Sequence, residues 1–188
     1  MRLFVAVDID DAVRRRLAAV ISSCAARPAF RRLEVAWVPA DRLHITIQFI
    51  GHVPDPVADQ IRERLLPPYP MPPFSLHLER LGAFPPGGRV RVIWVGLRRG
   101  TDQLCRLQEE TLRRLEGVPF RRETRAFSPH LTIARLREPG PAALREHLAG
   151  TAAKAAGRCT IDAVTLYESR LSPRGATYIP VQRAPLVA

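Results

Sequence analysis

The chain has 188 residues, a length that suits one domain or two small lobes around a shared core. It contains 29 Lys or Arg against 18 Asp or Glu, which gives a formal net charge of +11. No apolar run approaches the roughly 20 residues of a membrane span, and the opening MRLFVAVDIDD is too short and too soon acidic for a signal peptide. The sequence therefore predicts a cytoplasmic protein with no membrane partner.

The first predicted elements are a strand over RLFVAV, a helix that begins after Asp10 or Asp11 and reaches about Ala26, strands over EVAWV and LHITIQFI, and a helix over PDPVADQIRERLL. An aspartate suits the start of a helix because its side chain accepts a hydrogen bond from a free N–H of the first turn. In the last segment a proline stands near the start and apolar residues recur at helical spacing, which is typical of an amphipathic helix. Gly51 is predicted to end the strand before it.

The remaining predicted elements are strands over PFSLHLERLGAF and RVRVIWVGL joined by a PPGG turn, a helix from Thr101 to about Glu116, a strand over FSPHLTIARL, a helix over PAALREHLA, and strands over RCTIDAVTLYES and ATYIPVQR. Most strands adjoin another strand without a helix between them. This order predicts an α+β fold with largely antiparallel pairing, and it argues against a doubly wound parallel sheet.

The cysteine and arginine content bears on which kinds of site and partner the protein can have. Cys24, Cys105 and Cys159 are odd in number and far apart, which argues against a disulfide framework or a zinc site and fits a reducing compartment. All basic residues except Lys154 are arginines, and arginine binds phosphate in a bidentate fork. Codon usage in a GC-rich genome explains the same excess, so the charge permits a nucleic-acid partner without establishing one.

One short pattern is repeated: HITIQF at residues 44–49 returns as HLTIAR at residues 130–135. Alternate side chains of a strand share a face. In the first copy the polar face is predicted to carry His44, Thr46 and Gln48, and the core face Ile45, Ile47 and Phe49. The second copy places His130 and Thr132 on one face in the same way. A single histidine on a half-buried strand is usually incidental, but packing gives no reason to repeat the polar residues, so the repeat indicates a pseudo-symmetric, two-lobed domain with a shared site.

Two imidazoles and two hydroxyls on one surface suit phosphodiester chemistry. Imidazole has a pKa of about 6.5, so near neutrality one ring accepts a proton from water while the other donates one to a leaving oxygen. Threonine hydroxyls donate hydrogen bonds to phosphate oxygens whose negative charge grows during in-line attack. A strained cyclic phosphate is the easiest substrate for such a site, and the pattern itself calls for no metal.

Other site types fit the sequence less well. The three histidines outside the repeat follow no metal-ligand spacing, and threonine is a poor zinc ligand. No G-x-S-x-G segment marks a nucleophilic serine, and no glycine-rich phosphate loop is present. We therefore expect no metal and no cofactor.

The two repeats resemble the His-x-Thr-x signatures of the 2H phosphoesterase superfamily, and more closely those of the RNA 2′,3′-cyclic phosphodiesterases, also called 2′-5′ RNA ligase-like proteins. The segments RLFVAVDID, LHITIQFIG, FSPHLTIARL and LYESRLSPRGATYIPV are similar to that family in the same order, so the resemblance covers essentially the whole chain. Isoleucine follows each threonine where leucine is more usual, and the histidine and threonine offsets are intact.

The resemblance implies one 2H phosphoesterase domain over residues 1–188, with two intertwined lobes, mostly antiparallel sheets, helices on the outer faces and a central groove. It also implies hydrolysis of RNA or nucleotide 2′,3′-cyclic phosphates to 2′-phosphomonoesters. By position, His44 would be the proton donor and His130 the proton acceptor, while Thr46 and Thr132 would hold the phosphate. The residues alone do not say which histidine is the acid.

Three further residues are candidate substrate ligands. Arg135 is typical of the family, yet strict alternation puts it on the face opposite His130, so it needs a bulge or a strand end to reach the groove. A structural arginine paired with a carboxylate is the alternative. Phe4 and Tyr178 are placed to stack on a base, with core or groove wall as the alternative for each.

The rival functions are joining of RNA ends through a 2′-5′ bond, opening of another cyclic phosphate on the same fold, and non-catalytic RNA binding by a basic groove. The last would show salt-dependent binding that does not need the histidines. The expected partners are RNA ends or nucleotides with a 2′,3′-cyclic phosphate. With no long amphipathic stripe left over, we expect a monomer.

Overall fold

The computed structural model describes residues 1–149, 156–172 and 175–188. Its helices are α1 (Asp11–Ala25), α2 (Asp55–Leu65), α3 (Thr101–Arg114) and α4 (Leu144–Ala149). Its strands are β1 (Arg2–Asp8), β2 (Val35–Trp37), β3 (His44–His52), β4 (Tyr69–Pro70), β5 (Phe74–Phe84), β6 (Val90–Arg99), β7 (Leu131–Gly140), β8 (Gly157–Ile161), β9 (Ala163–Ser172) and β10 (Gly175–Val187). No helix within these ranges is long and apolar enough to cross a membrane.

The strands form one 10-stranded sheet in the order β4-β10-β9-β1-β3-β7-β6-β5-β8, with β2 paired beside β7. The ladder between β10 and β4 is parallel, whereas the ladders of β1, β3, β5, β6, β7 and β9 with their neighbours are antiparallel. The predicted α+β class with largely antiparallel pairing is confirmed.

The sheet divides at its centre into two lobes. We call β4, β10, β9, β1 and β3 the first lobe, and β7, β6, β5 and β8, with β2, the second lobe. Between them β3 and β7 share the single paired position Ile45–Leu131. The two lobes are therefore joined by a much shorter ladder than the β1–β3 and β6–β7 ladders within them.

Helices cross between the lobes. Helix α1 follows β1 of the first lobe but packs on β8 of the second, and α3 follows β6 of the second lobe but packs on β3 of the first. Each lobe is therefore completed by a helix from the other half of the chain. We infer from this exchange that the halves form a single domain.

Local signals predict most element bounds correctly. Asp10 is the N-cap of α1, where its Oδ1 accepts a hydrogen bond from the Val13 N–H at 2.7 Å. The apolar positions Val13, Leu17 and Ile21 of α1 are buried as their spacing predicts, and burying such a side chain stabilises the fold by about 1.5–3 kcal/mol.

The prediction of one strand over RCTIDAVTLYES is wrong. The segment forms two strands, β8 and β9, which lie in different lobes and pair with β5 and β1. The chain changes lobe at Asp162, whose carbonyl accepts a hydrogen bond from the Leu186 N–H at 2.7 Å. A second difference is β4, a two-residue strand too short to produce a hydrophobic pattern.

Both histidine strands contain an extra residue directly after the threonine. On β3, Gln48 pairs with Val5 and Thr46 with Ala6, which leaves Ile47 without an opposite residue. On β7, Ala134 pairs with Ile93 and Thr132 with Trp94, which leaves Ile133 in the same position. An extra residue shifts the two-residue alternation of side chains by one place.

The predicted faces of Gln48 and Phe49 are therefore wrong. Gln48 is only 4% exposed and its Oε1 accepts a hydrogen bond from Gln108 of α3 at 3.4 Å, on the helix-covered side. Phe49 is 45% exposed and pairs with Phe4, whose ring contacts His44. The sheet thus presents Phe49 on the same face as His44, while the helices cover the opposite face.

Candidate active site

The two predicted histidines have the same local hydrogen bond. The His44 Nδ1–H donates to the carbonyl oxygen of Arg42 at 2.8 Å, and the His130 Nδ1–H donates to that of Ser128 at 2.7 Å. A carbonyl oxygen only accepts, so Nδ1 must carry the hydrogen in both rings. Each histidine is thereby held in the tautomer that leaves Nε2 available to exchange a proton with a ligand.

The register between the lobes brings the two motifs together. Ile45 pairs with Leu131 in an antiparallel ladder. Continuing this register places His44 opposite Thr132, and Thr46 opposite His130. This register puts the two histidines and the two threonines on one face of the sheet, opposite the buried side chains of Ile45 and Leu131.

Arg135 lies on the histidine face because of the extra residue at Ile133. In the β7 register Arg135 follows Ala134 by one place and is exposed. Its positive charge lowers the pKa of both His44 and His130. Among the described residues it forms no salt bridge, in contrast to Arg137, which lies 3.6 Å from Glu34. The structure therefore supplies the bulge that the groove position of Arg135 requires.

Burial is the main influence on both imidazoles, and it lowers the pKa of each because the charged form loses its hydration. The hydrogen bonds to the Arg42 and Ser128 carbonyls act in the opposite direction. The negative charge of Asp8 also raises the pKa of His44. No carboxylate of the described residues acts on His130 in this way, so the two rings have different electrostatic surroundings.

Asp8 was not predicted as a site residue. It pairs with His44 in the β1–β3 register, and its carboxylate accepts hydrogen bonds from the hydroxyls of Thr165 at 2.9 Å and Tyr167 at 2.7 Å. Burial, followed by Asp8, raises the pKa of Tyr167. In the sequence Asp8 reads as the polar end of a buried strand, but its two-residue spacing from Phe4 through Ala6 is the signal that places it on the site face.

Phe4 and Tyr178 form a wall beside His44. The Phe4 ring centroid lies 5.0 Å from those of His44 and Tyr178, and 5.2 Å from that of Tyr167. Phe4 is only 4% exposed, which fits the groove-wall alternative. Tyr178 is half-buried and helps to line a cavity of about 140 Å³ together with Asp8, Arg42 and His44.

A second aromatic wall surrounds His130 and was missed by the sequence analysis. The ring centroid of Phe84 lies 4.9 Å from that of His130, and that of Trp94 lies 6.3 Å away. Trp94 pairs with both Thr132 and Gly82. A Cβ at residue 82 would lie 2.2 Å from the indole ring, so the glycine is needed for Trp94 to lie across β5.

Side chains suited to metal binding are dispersed. In the described ranges no three His, Cys, Asp or Glu residues form a group that could hold a metal ion. The hydrogen-bond donors on the histidine face are instead two imidazoles, two hydroxyls and one guanidinium. The Asp8 carboxylate on that face is already bound by Thr165 and Tyr167. These donors suit an anionic ligand such as a phosphate.

Named relatives match nearly the whole chain. An RNA 2′,3′-cyclic phosphodiesterase of Archaeoglobus fulgidus is 31% identical over 178 residues, covering 95% of this chain and 96% of the relative. A protein of the same name from Methanocaldococcus jannaschii is 28% identical over 179 residues, again covering 95% of this chain and 96% of the relative.

Solved structures share the fold. The crystal structure of TT0787 of Thermus thermophilus superimposes with a TM-score of 0.73 at 26% identity, covering 99% of this chain and 98% of the other. That of E. coli LigT complexed with 3′-AMP gives a TM-score of 0.75 at 23% identity, with coverage of 100% and 98%. A family model described as the 2′-5′ RNA ligase superfamily matches residues 13–172. The chain belongs to the 2′-5′ RNA ligase superfamily.

Proposed function

We propose that the protein is an RNA 2′,3′-cyclic phosphodiesterase, which hydrolyses the cyclic phosphate at an RNA end, or on a nucleotide, to a 2′-phosphomonoester. The observation that carries the proposal is the pair of histidines, each with Nδ1 bound to a carbonyl and Nε2 left available, next to two threonines on one face. The shared name of the relatives, which match over almost the full chain, supports this reaction.

The phosphate would bind between the two motifs. The hydroxyls of Thr46 and Thr132 donate hydrogen bonds to its non-bridging oxygens, and the guanidinium of Arg135 offsets their negative charge. These contacts strengthen as the phosphorus becomes five-coordinate and charge builds on the equatorial oxygens. They therefore stabilise the transition state more than the bound substrate.

Proton transfer would be divided between the histidines. His130 Nε2 accepts a proton from water as the water oxygen bonds to phosphorus. The bond between phosphorus and the 3′ oxygen breaks, and His44 Nε2–H donates its proton to that oxygen. The product carries a 2′-phosphate and a 3′-hydroxyl, and each histidine exchanges one proton with solvent before the next turnover.

The assignment of acid and base agrees with the unequal surroundings of the two rings. An acid must start protonated, and the carboxylate of Asp8 favours protonated His44. A base must start neutral. Burial and Arg135 lower the pKa of both rings, and at His130 no carboxylate of the described residues opposes them. Neutral and charged imidazoles at one phosphate are the arrangement that concerted acid–base catalysis requires.

Single substitutions of the histidines test this function. We expect His44→Ala and His130→Ala each to lower kcat for a 2′,3′-cyclic mononucleotide by about 10²–10⁴-fold, in buffer with excess EDTA. His77→Ala, which removes a half-buried histidine of β5, is the matched control and should retain wild-type kcat. Wild-type activity in both motif variants would disprove the proposal.

The cellular context is a further proposal. We infer a cytoplasmic monomer whose partners are RNA ends. In the described part of the chain the exposed large apolar side chains are Phe49 of β3, Leu66 after α2, Leu171 of β9 and Val187 of β10. They are spread over four segments and so give no extended apolar interface. Light scattering on the purified protein should give the mass of one chain, 21.0 kDa.

A further inference from the structure

Phe49 is an exposed aromatic ring on the catalytic face that the proposed reaction does not use. It is 45% exposed, although residues of its type are usually buried. The extra residue at Ile47 turns it out of the core, and its position after His44 corresponds to that of Arg135 after His130. The strand geometry thus places an apolar ring where the other motif places a phosphate-binding cation.

Arg2 accompanies this ring. Its guanidinium carbon lies 5.2 Å from the centroid of Phe49, a distance that suits a cation–π contact. The buried Nε of Arg2 has no hydrogen-bond partner, and among the described residues Arg2 forms no salt bridge. The Phe49 ring and the Arg2 guanidinium can therefore both contact a ligand. Many other arginines of the chain are instead paired with carboxylates.

The pair lies next to the phosphate site. Along β3 the catalytic face carries His44, Thr46 and then Phe49, and Arg2 lies on the adjacent strand β1. Thr46 and Phe49 pair with Ala6 and Phe4, which are two residues apart on β1, a span of roughly 7 Å. Phe49 is therefore about one nucleotide away from the threonine proposed to contact the phosphate. A ligand held only at the cyclic phosphate would not need this surface, whereas a longer chain would pass over it.

We propose that Phe49 and Arg2 form a subsite for the nucleotide that precedes the cyclic end of an RNA chain, with its base stacked on Phe49 and its phosphate bound by Arg2. The inference rests on the proposed function and deepens it. Stacking on an aromatic ring tolerates any base, and a guanidinium recognises a phosphate without reading sequence. The subsite thus selects RNA ends over free cyclic mononucleotides without selecting a sequence.

The test compares two substrates, a 2′,3′-cyclic mononucleotide and an adenylate trinucleotide with a 2′,3′-cyclic end. We expect the wild type to show the higher kcat/KM on the trinucleotide. Phe49→Ala should lower that value by about tenfold and leave the mononucleotide value unchanged. Arg2→Gln should reduce the salt dependence of trinucleotide kcat/KM, lowering the slope of log kcat/KM against log salt by about 0.7.

Matched controls separate the subsite from general surface effects. Leu66→Ala removes another exposed apolar side chain, at the end of α2, and Arg113→Ala removes an exposed arginine of α3. Neither should change the preference for the trinucleotide. Thermal unfolding verifies that each variant is folded.

Two results would overturn the subsite while leaving the proposed function intact. One is an unchanged trinucleotide kcat/KM in both Phe49→Ala and Arg2→Gln. The other is an equal loss on both substrates, which would assign these residues to the phosphate site or to the fold. If the wild-type protein hydrolyses neither substrate, the proposed function fails, and the subsite fails with it.

Discussion

For single residues, the shared face of each histidine and its threonine could be predicted because it depends only on the alternation of side chains along a strand. The alternation rule fails directly after each threonine. The extra residues at Ile47 and Ile133 shift Phe49 and Arg135 onto the face that carries His44 and His130. A bulge leaves no clear mark in a run of apolar residues. Asp8 was missed for a related reason, since its partners Thr165 and Tyr167 lie more than 150 positions away in the chain.

The carboxylate of Asp8 provides a prediction about pH. Asp8 raises the pKa of His44, so Asp8→Asn should lower it. If His44 is the acid, activity requires its protonated form and falls as pH rises through its pKa. We therefore expect the alkaline limb of the kcat/KM profile to move to lower pH in Asp8→Asn.

The pH profile of a cyclic mononucleotide, measured on both proteins, checks this prediction. Asp162→Asn is a suitable control because that carboxylate is exposed and bound to Arg183. An alkaline limb that stays in place, with a shift of the acidic limb, would contradict the assignment of His44 as the acid.

At the scale of the element, the bounds of the helices follow from caps and apolar spacing, whereas the strands depend on partners that the local sequence does not reveal. The segment over residues 158–169 has the composition of one strand. It nevertheless forms two strands, one in each lobe, because the chain turns at Asp162. The aromatic wall around His130 also depends on strand pairing. The absence of a side chain at Gly82 is important only because the indole of Trp94, on the paired strand β6, lies over that position.

Gly82→Ala tests that wall. The added Cβ would lie 2.2 Å from the Trp94 ring, so the indole or the strand must move. Overpacking of this kind typically costs about 1–3 kcal/mol, and we expect the free energy of unfolding to fall by that amount and kcat to fall with the displaced wall of His130. Denaturant titration followed by tryptophan fluorescence measures the loss.

Gly87→Ala is the matched control, because a Cβ there meets no atom within 4 Å. It should preserve both stability and kcat. Equal stability of Gly82→Ala and the wild type would mean that the strand absorbs the extra carbon without moving Trp94.

At the scale of the whole molecule, the repeated motif predicts two related halves but not how they combine. Helices α1 and α3 each complete the lobe of the other half, an arrangement fixed by contacts between distant segments. The single paired position Ile45–Leu131 then joins the two motif strands in one sheet. The pseudo-symmetry explains the similar hydrogen bonds of the two histidines, and the position of Asp8 on one side supports the different roles that we propose for them.

The proposed reaction breaks the bond between phosphorus and the 3′ oxygen, with His44 protonating that oxygen while His130 activates water. The position of the phosphate in the product, determined by phosphorus NMR after hydrolysis of an RNA with a 2′,3′-cyclic end, tests it most directly. We expect a 2′-phosphomonoester with a free 3′-hydroxyl. A 3′-phosphomonoester would contradict it, because the proton would then have gone to the 2′ oxygen.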